Sequence, residues 1–380
     1  MTASKPVDER LPSRSLASLM QIADQFNTGG RVQNIKPLGS GNINDTFQVL
    51  LDNSPAPYFV LQRLNTQVFQ QPHQVMHNIC CFTEHVQRRL DRLTLQAGRR
   101  WVVPRVIRTH QGHDHWLNAQ GEFWRGISFV PNAVTFDTIQ SAQHAQEVGY
   151  GLGMFHHLIN DLPPTHLTDT LSGFHITPQY LQQYQKILIQ SSTTECPEVL
   201  LCTRYIQSWA SRVTILEAAK ARGDLSLRLM HGDPKVNNIL LDADTHQAVS
   251  LIDLDTVKPG LIHYDIGDCL RSGCNRLGEE SPNWESVTFD VDICEIILKG
   301  YYSAAKRFLT TADMEYLYDA IWLIAFELGL RFFTDYLAGN IYFKASHAEH
   351  NLMRALVQFK LVESIESQAD TLSSMIQSLG

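Results

Sequence analysis

The spacing of apolar residues changes once along this chain of 380 residues, near residue 131, and this change constrains the fold most. From residue 31 to about 130, short apolar runs alternate with turn residues, a pattern typical of strands joined by hairpins. Beyond residue 131, apolar residues recur every three or four positions over long segments, which indicates helices. We therefore expect an α+β fold with a small β-rich N-terminal lobe, 1–131, and a larger, mainly helical C-terminal lobe, 132–380.

The N-terminal lobe is predicted to hold a leader helix ending at glycines 29 and 30, a later helix with an apolar face over 75–90, and five strands. The strands are Val32–Leu38, Thr46–Leu51, Tyr58–Leu64, Trp101–Thr109 and Phe123–Val130. The C-terminal helices are predicted at 141–160, 178–190, 197–221, 288–309, 311–338 and 350–378. Two short strands, Ile239–Leu241 and Ala248–Ile252, interrupt them. This order is the outline of a two-lobed, protein-kinase-like fold.

Charge and composition argue against several classes of function. The net charge is 31 − 39 = −8, so the chain lacks the basic surplus expected for bulk nucleic-acid binding. No apolar run approaches the roughly 18 residues that span a bilayer, and the N-terminus has no apolar stretch typical of a secretory signal. The seven cysteines form no C-x-x-C pair. We therefore expect a cytoplasmic protein with reduced thiols.

The segment His231–Asn238, with Asp253 fifteen residues after Asn238, carries the clearest chemistry. Its H-x-D-x-x-x-x-N order places the Asp233 carboxylate and the Asn238 amide on one loop, and the two short strands return Asp253 beside them. Phosphoryl transfer needs a carboxylate that orients the attacking hydroxyl and oxygen ligands for Mg²⁺. We assign Asp233 and Lys235 as catalytic residues, and Asn238 and Asp253 as metal ligands. The alternative is a turn in which Asp and Asn only cap backbone groups.

A glycine-rich turn, Gly39-Ser40-Gly41-Asn42-Ile43-Asn44, is the second candidate site. Glycines at such a turn let backbone N–H groups approach phosphates, although a plain hairpin turn has the same composition. The basic residue on the third strand is Arg63, which would hold nucleotide phosphates, and Glu84 on the following helix could pair with it. Both side chains could equally be solvated surface charges.

Another glycine series, Gly149, Gly151 and Gly153, imitates a nucleotide-binding loop. It lies inside a helical pattern, so we interpret it as a site of close helix packing.

Several blocks of the chain resemble the aminoglycoside phosphotransferase/choline kinase superfamily, and most closely its bacterial N-acetylhexosamine 1-kinases. These blocks, spread over nearly the whole length, are GSGNINDTF (39–47), LQRLNTQVF (61–69), HGDPKVNNILLD (231–242), LIDLDTVKPG (251–260), YDIGDCLRSG (264–273), LRFFTDYLAGNIYF (330–343) and HNLMRALVQFKLV (350–362). Two positions differ from those sugar kinases: Asn42 stands where they carry His, and Gly232 where they carry Asn or Gly.

The resemblance implies a role for each matching residue. Asp233 would be the catalytic base, Asn238 and Asp253 would hold Mg²⁺, and Gly39, Ser40, Gly41, Asn42, Asn44 and Arg63 would lie over the phosphates of ATP. Phe129–Asn132 would be the hinge that touches adenine, with Phe129 and Asn132 as contacts. Arg331 and Tyr342, together with Asp255, would face the acceptor. The reaction would transfer the γ-phosphate of ATP to the anomeric hydroxyl of GlcNAc or GalNAc.

Two alternatives stay open. A cationic acceptor such as an aminoglycoside or choline, or an acceptor such as homoserine or another sugar, would keep the reaction and change the substrate. A cationic acceptor would use carboxylates of the C-terminal lobe: Asp255, Asp265, Asp268 and Asp335, which could instead cap helices. The other alternative is a nucleotide-binding module without turnover. We expect ATP and a small molecule as the binding partners, with neither nucleic acid nor membrane.

Overall fold

The computed structural model describes residues 15–39, 43–95, 98–191 and 196–379. The chain forms two compact units. The first comprises the described residues up to Pro72 together with Pro104–Phe129, and the second comprises His73–Val103 together with the described residues from Val130 onward. The helix after the third strand therefore belongs to the second unit, whereas the predicted boundary near residue 131 placed it in the N-terminal lobe.

The first unit is an antiparallel sheet with one helix. The helix is α1 (Leu16–Ala23), and the strands are β1 (Arg31–Pro37), β2 (Asp45–Asp52), β3 (Tyr58–Arg63), β4 (Val106–Ile107), β5 (Trp116–Leu117) and β6 (Phe123–Ser128). The strand order is β1-β2-β3-β6-β4, with β5 also paired to β6. Of the predicted strand 101–109 only the β4 residues pair within the sheet, and α1 ends at Ala23, well before the glycines.

One face of this sheet packs on α1. Leu19, Ile22 and Ala23 of α1 are buried against alternate residues of the central strands. Those strand residues are Phe47, Val49, Leu51, Phe59, Leu61 and Trp124. Each large side chain buried in this way contributes about 1.5–3 kcal/mol. The period of two along each strand therefore sorts its residues into an α1-facing set and a set on the opposite face.

The second unit is mainly helical. Its helices are α2 (Pro72–Leu90), α3 (Ala142–Ile159), α4 (Thr177–Gln190), α5 (Pro197–Trp209), α6 (Ile215–Arg222), α7 (Ile262–Gly273), α8 (Val291–Ala305), α9 (Thr311–Glu315), α10 (Leu317–Leu337), α11 (His350–Ser367) and α12 (Ala369–Leu379). Short strands form two small sheets: β7 (Ala133–Val134), β9 (Ile239–Asp242) and β10 (Ala248–Leu251) in the order β10-β9-β7, and β8 (Arg228–Met230) paired with β11 (Lys258–Gly260).

Most of the predicted helices are present, with four differences. Three predicted helices are interrupted: 197–221 gives α5 and α6, 311–338 gives α9 and α10, and 350–378 gives α11 and α12. Helix α7 was not predicted. Its residues are buried on nearly every side, polar ones included, although its apolar residues do repeat at helical spacing.

The glycine series of α3 is a packing site, as predicted. A Cβ atom at Gly149 would lie 1.9 Å from the main-chain O of Ile297 on α8, and one at Gly153 would lie 2.6 Å from the O of Tyr301. A Cβ at Gly300, on the facing helix, would lie 2.1 Å from the O of Gln146. The two backbones touch, which only glycine permits. Helix α3 also packs against β9 and β10, the strands that flank the candidate site.

Candidate active site

The segment His231–Asn238, here called the Asp233 loop, leaves β8 and enters β9. Its first two backbone N–H groups both bind the Asp265 carboxylate on α7: His231 N lies 2.6 Å from Oδ2 and Gly232 N lies 2.7 Å from Oδ1. Asp265 is completely buried. One carboxylate therefore holds the start of the loop through two charge-assisted hydrogen bonds.

A buried histidine supports Asp265 from behind. His156 Nε2 donates to Asp265 Oδ2 at 2.8 Å, and His156 Nδ1 lies 3.0 Å from the Tyr301 hydroxyl, which donates to it. Burial raises the pKa of Asp265, but its hydrogen bonds with the His156 ring and the His231 backbone outweigh this, and the pKa is lowered overall. The carboxylate is therefore ionised at neutral pH.

Gly232 has a backbone conformation that a side chain would not tolerate. Its φ is +89°, and a Cβ would lie 2.9 Å from both Cβ and O of Thr256. Thr256 in turn donates its hydroxyl to the main-chain O of His231 at 2.7 Å. The loop and the turn after β10 are therefore packed closely at this point, and glycine is required there.

A second buried pair, His175 and Glu327, holds the other side of Gly232. His175 Nε2 donates to Gly232 O at 2.8 Å, and Nδ1 donates to Glu327 Oε1 at 2.9 Å. Thr177 donates its hydroxyl to Glu327 Oε2 at 2.7 Å. Both ring nitrogens face acceptors, so the ring is an imidazolium. Burial lowers the pKa of His175, but the charge of Glu327 and its hydrogen bond outweigh this, and the pKa is raised.

Three of the predicted residues lie together on the loop itself. Asn238 donates Nδ2 to Asp233 O at 2.7 Å, and Lys235 Nζ lies 3.0 Å from Asp233 Oδ2. The Asp233 and Lys235 side chains are 30 % and 35 % exposed, so both can meet a ligand. The charge of Asp233 raises the pKa of Lys235. The structure thus brings the carboxylate, the ammonium and the amide into one cluster.

Asp253 is attached to this cluster through backbone contacts. Ile252 N donates to Asn238 O at 2.9 Å, and His231 Nε2 donates to Ile252 O at 2.9 Å. His231 Nδ1 accepts the N–H of Asp233 at 3.2 Å, so the ring is neutral, in keeping with burial that lowers its pKa. Asp253 itself is exposed and has φ +65°, a left-handed conformation that is strained for Asp.

The residues predicted for the acceptor lie near α10. The Arg331 guanidinium is 5.2 Å from the Phe174 ring centroid, 5.1 Å from that of Tyr180 and 5.4 Å from that of Phe343. Arg331 Nη1 is also 4.0 Å from Glu327 Oε1, the carboxylate that holds His175. Arg331 is thus linked through Glu327 and His175 to the Asp233 loop.

Tyr342 lies in a loop that a single carboxylate organises. Asp335 accepts the N–H groups of Ile341, Tyr342 and Phe343 at 2.9, 2.7 and 2.9 Å, and Asn351 Nδ2 at 3.0 Å. Tyr342 is 50 % exposed. The loop, residues 340–348, surrounds an open cavity of about 420 Å³.

The carboxylates considered for a cationic acceptor are mostly engaged in internal contacts. Asp265 and Asp335 hold backbone N–H groups, and Asp268 Oδ1 pairs with Arg271 at 2.7 Å. None of these three acts as a helix cap. Asp255 is buried, at 3 % exposure.

The residues predicted for the nucleotide are distributed over both units. In the first unit, Gly39 has φ +72°, Asn44 Oδ1 accepts the N–H of Asn65 at 2.9 Å, and Phe129 packs on Tyr58 with ring centroids 5.5 Å apart. Ser40, Gly41 and Asn42 lie outside the described residues. Arg63 binds Asp45 on β2 and Glu122, the residue directly before β6.

In the second unit, Asn132 has φ +51° and donates Nδ2 to Asp244 Oδ2 at 2.8 Å, while Glu84 is exposed on α2.

Sequence reasoning did not find the roles of Asp265, His156, His175 and Glu327 around the Asp233 loop. All four are buried, and each acts on a residue far away in sequence, so no local spacing marks them.

Within the described residues, no group of three or more His, Cys, Asp or Glu could hold a metal ion. No helix in this part of the chain is long and apolar enough to cross a membrane.

Solved structures with this fold include several kinases and phosphotransferases. A microcompartment-associated aminopropanol kinase shares 17 % identity with a TM-score of 0.61, the match covering 94 % of this chain and 99 % of that one. An aminoglycoside phosphotransferase from Alicyclobacillus acidocaldarius shares 17 % identity with a TM-score of 0.61, over 97 % and 99 % of the two chains. A choline kinase from Cryptosporidium parvum shares 12 % identity with a TM-score of 0.61, over 96 % and 99 %.

These similarities confirm the predicted fold class, a small antiparallel sheet followed by a larger helical part of the protein-kinase-like type. A model of the phosphotransferase enzyme family also matches residues 34–283, well over half of the chain. This match agrees with the resemblance noted from the sequence blocks. The chain therefore belongs to the phosphotransferase enzyme family, within the aminoglycoside phosphotransferase/choline kinase superfamily.

Proposed function

We propose that this protein is an ATP- and Mg²⁺-dependent kinase that phosphorylates a hydroxyl group of a small molecule. The observation that carries the proposal is the Asp233 loop. Its ammonium and its amide each lie within hydrogen-bonding distance of Asp233, and two buried histidine–carboxylate pairs hold the loop. Phosphoryl transfer depends mainly on positioning and charge, so a rigidly held loop of this kind suits it.

Asp233 is assigned as the residue that orients the acceptor hydroxyl and takes its proton. Its side chain is partly exposed, so a hydroxyl can reach it, and the loop cannot swing because Gly232 is held by Asp265 and His175. Lys235, beside it, keeps its positive charge and would stabilise charge on the transferred phosphoryl group. The acceptor oxygen forms a bond to the γ-phosphorus as the bond to the leaving oxygen of ADP breaks.

Asn238 and Asp253 fit a Mg²⁺ ion. The Asn238 amide uses its Nδ2 on Asp233 O, which leaves its Oδ1 as an acceptor, and Asp253 supplies an exposed carboxylate. Mg²⁺ prefers a few such oxygens together with substrate phosphates, and when bound it would neutralise charge on the phosphate oxygens. For the nucleotide, Gly39–Asn44 would lie over the phosphates, and Phe129 and Asn132 would contact the adenine.

We propose a sugar, and most specifically an N-acetylhexosamine, as the acceptor. The support is the pair Arg331 and Tyr342: the guanidinium is enclosed by three aromatic rings beside Glu327, and the tyrosine borders a cavity of about 420 Å³. An amine acceptor, as in the aminopropanol and choline kinases of similar fold, would need accessible carboxylates. Asp265, Asp268 and Asp335 are occupied by internal contacts.

Phosphorus NMR of the product tests both the reaction and the acceptor. The protein is incubated with ATP, Mg²⁺ and, in parallel, GlcNAc, GalNAc, choline, aminopropanol or an aminoglycoside. We expect an anomeric phosphate signal with an N-acetylhexosamine. Phosphorylation of an amine-bearing acceptor but of neither sugar would overturn the sugar assignment and keep the kinase.

The role of Asp233 is tested with Asp233→Asn, and Asp24→Asn, an exposed carboxylate of the first unit, is the matched control. We expect the Asp233 variant to lose about 10²–10⁴-fold in kcat while it still binds ATP. The control should retain wild-type turnover. Normal turnover in Asp233→Asn would refute the assignment, and ATP binding by the wild type without any phosphorylated product would favour a binding module.

A further inference from the structure

Glu279 lies in the segment between α7 and α8, residues 274–290, and is tied to the end of α7 that supports the Asp233 loop. At this end Ser272 Oγ accepts the N–H of Val236, a residue of the loop, at 3.3 Å. One residue earlier on the helix, Arg271 Nη1 donates to Glu279 Oε2 at 3.1 Å. The Glu279 carboxylate is therefore held on the same helix end that packs against the loop.

The charge of Glu279 acts on the reactive cluster. The charges of Asp233 first, and then of Glu279, raise the pKa of Lys235 and outweigh the effect of its burial. The guanidinium that holds Glu279 is itself fixed, because Arg271 is buried and its Nη2 lies 2.7 Å from Asp268 Oδ1. Glu279 is thus a firmly held carboxylate within electrostatic range of the residues assigned to catalysis.

One oxygen of this carboxylate is available to a ligand. Oε2 accepts from Arg271, whereas Oε1 accepts no hydrogen bond from the part of the chain that the structure describes. The side chain is 29 % exposed, so a small molecule can reach it. Asp265 and Asp335, by contrast, are buried and bind backbone N–H groups. Glu279 therefore combines a fixed position with an accessible acceptor atom.

The next residue, Glu280, connects the same segment to the loop that carries Tyr342. Glu280 Oε1 accepts from Arg354 Nε at 2.8 Å, and its Oε2 accepts from His350 Nε2 at 2.5 Å. Arg354 also donates Nη1 to the main-chain O of Lys344, in the Tyr342 loop, at 2.9 Å. Two consecutive glutamates thus contact the helix end at the Asp233 loop and the helix that holds the Tyr342 loop. A molecule bound between these two loops would meet this segment.

We propose that Glu279 is an acceptor-binding residue: its Oε1 accepts a hydrogen bond from a hydroxyl group or an amide N–H of the acceptor, while Arg271 holds its Oε2. This inference rests on the proposed kinase function and deepens it. Because its other oxygen is already paired with a guanidinium, Glu279 serves as a hydrogen-bond acceptor for a neutral, hydroxyl-bearing molecule such as a sugar. It adds a specificity-determining residue to Arg331 and Tyr342.

The test measures the KM for ATP and for GlcNAc or GalNAc, whichever the wild type phosphorylates. The variants are Glu279→Gln and the control Glu285→Gln, which alters an exposed carboxylate of the same segment. The glutamine keeps the shape of the side chain and can offer its oxygen to Arg271, so its NH₂ group would face the acceptor. Loss of one charge-assisted hydrogen bond predicts an increase of about 10-fold in the KM for the sugar, with the KM for ATP unchanged.

Glu285→Gln should match the wild type. An unchanged KM for the sugar in Glu279→Gln, or an equal increase in the KM for ATP, would overturn the inference.

Analogues of the sugar distinguish direct contact from a supporting role of Glu279. Analogues lacking the 3-, 4- or 6-hydroxyl group, or carrying a hydroxyl in place of the acetamido group, are compared in both enzymes. We expect one analogue whose KM is raised in the wild type and is not raised further by Glu279→Gln, because the group that Glu279 binds is already absent. An increase by the same factor for every analogue would show that Glu279 only supports the structure, and would contradict the proposal.

The failure of this inference can be told apart from the failure of the proposed function. A wild type that forms no phosphorylated product from any acceptor would overturn the kinase function, and this inference with it. Phosphorylation of amine-bearing acceptors alone would overturn both the sugar assignment and the role given to Glu279. A wild type that phosphorylates the sugar, together with a Glu279→Gln variant of unchanged KM, would reject this inference alone.

Discussion

Substituting Asp265 by Asn should uncouple the Asp233 loop from the core. The carboxylate accepts two main-chain N–H groups and the His156 ring, at 2.6, 2.7 and 2.8 Å. An asparagine offers one oxygen and one NH₂ group, so at least one N–H donor would face another donor. A buried donor left unsatisfied costs about 1–3 kcal/mol, and the remaining bonds lose their charge, which roughly halves their strength. Together these losses come to about 3–5 kcal/mol.

In Asp265→Asn, the loss of kcat should exceed any change in the KM for ATP. Because Gly232 precedes Asp233, a displacement of the loop by about 1 Å would lower kcat about 10²-fold. The KM for ATP should change little. Urea denaturation gives the loss of stability and steady-state kinetics give the two constants. Asp319→Asn, which alters a partly buried carboxylate on α10 away from the loop, is the matched control and should behave as the wild type.

The dependence of the free energy of unfolding on acidic pH gives an independent test of the role of Asp265. The pKa of Asp265 is lowered in the folded protein, so its stabilisation is present above the unfolded pKa of about 3.9 and is lost as the pH falls through the folded value. Asp265→Asn should lack this part of the acid dependence. Wild-type stability and kcat in the Asp265→Asn variant would refute the reasoning that one carboxylate anchors the loop.

Two further predictions concern the opposite side of the loop. Gly232→Ala should destabilise the protein by about 1–3 kcal/mol and lower kcat, because φ is +89° and the added Cβ meets Thr256 at 2.9 Å; urea denaturation and kinetics measure both, and a neutral outcome would contradict the geometry. The pKa of His175 is raised on folding, so its stabilisation is present below the unfolded value of about 6.5 and is lost as pH rises through the folded value. In Glu327→Gln, the free energy of unfolding from urea denaturation should no longer show this fall between neutral and alkaline pH. If its dependence on pH matches that of the wild type, the imidazolium does not depend on Glu327.

Local patterns predicted much of the fold. The period of two gave β2 and β3 nearly to the residue, and the three- and four-residue spacing gave α3, α4 and α10, because amphipathic elements repeat their apolar positions at the period of their backbone. Helix α7 was not predicted, although its apolar residues repeat at helical spacing. The Asp233 loop was also visible, since Asp233, Lys235 and Asn238 lie within six residues of one another.

The rest of the site depends on contacts between distant positions. Glu327 holds His175 from 152 residues away, and Asp265 reaches Gly232 across 33 residues. No spacing rule links such pairs, because their meeting is decided by how helices pack.

By itself the sequence determined the order of strands and helices, the composition of the Asp233 loop and the family to which its blocks are similar. The tertiary structure alone decided which face each strand residue takes. Arg63 and Gln62 are neighbours in the sequence, yet β-sheet pleating and the packing of α1 send them to opposite sides of the sheet. Only strand register could show that Arg63 lies among carboxylates, while Gln62 meets a buried arginine.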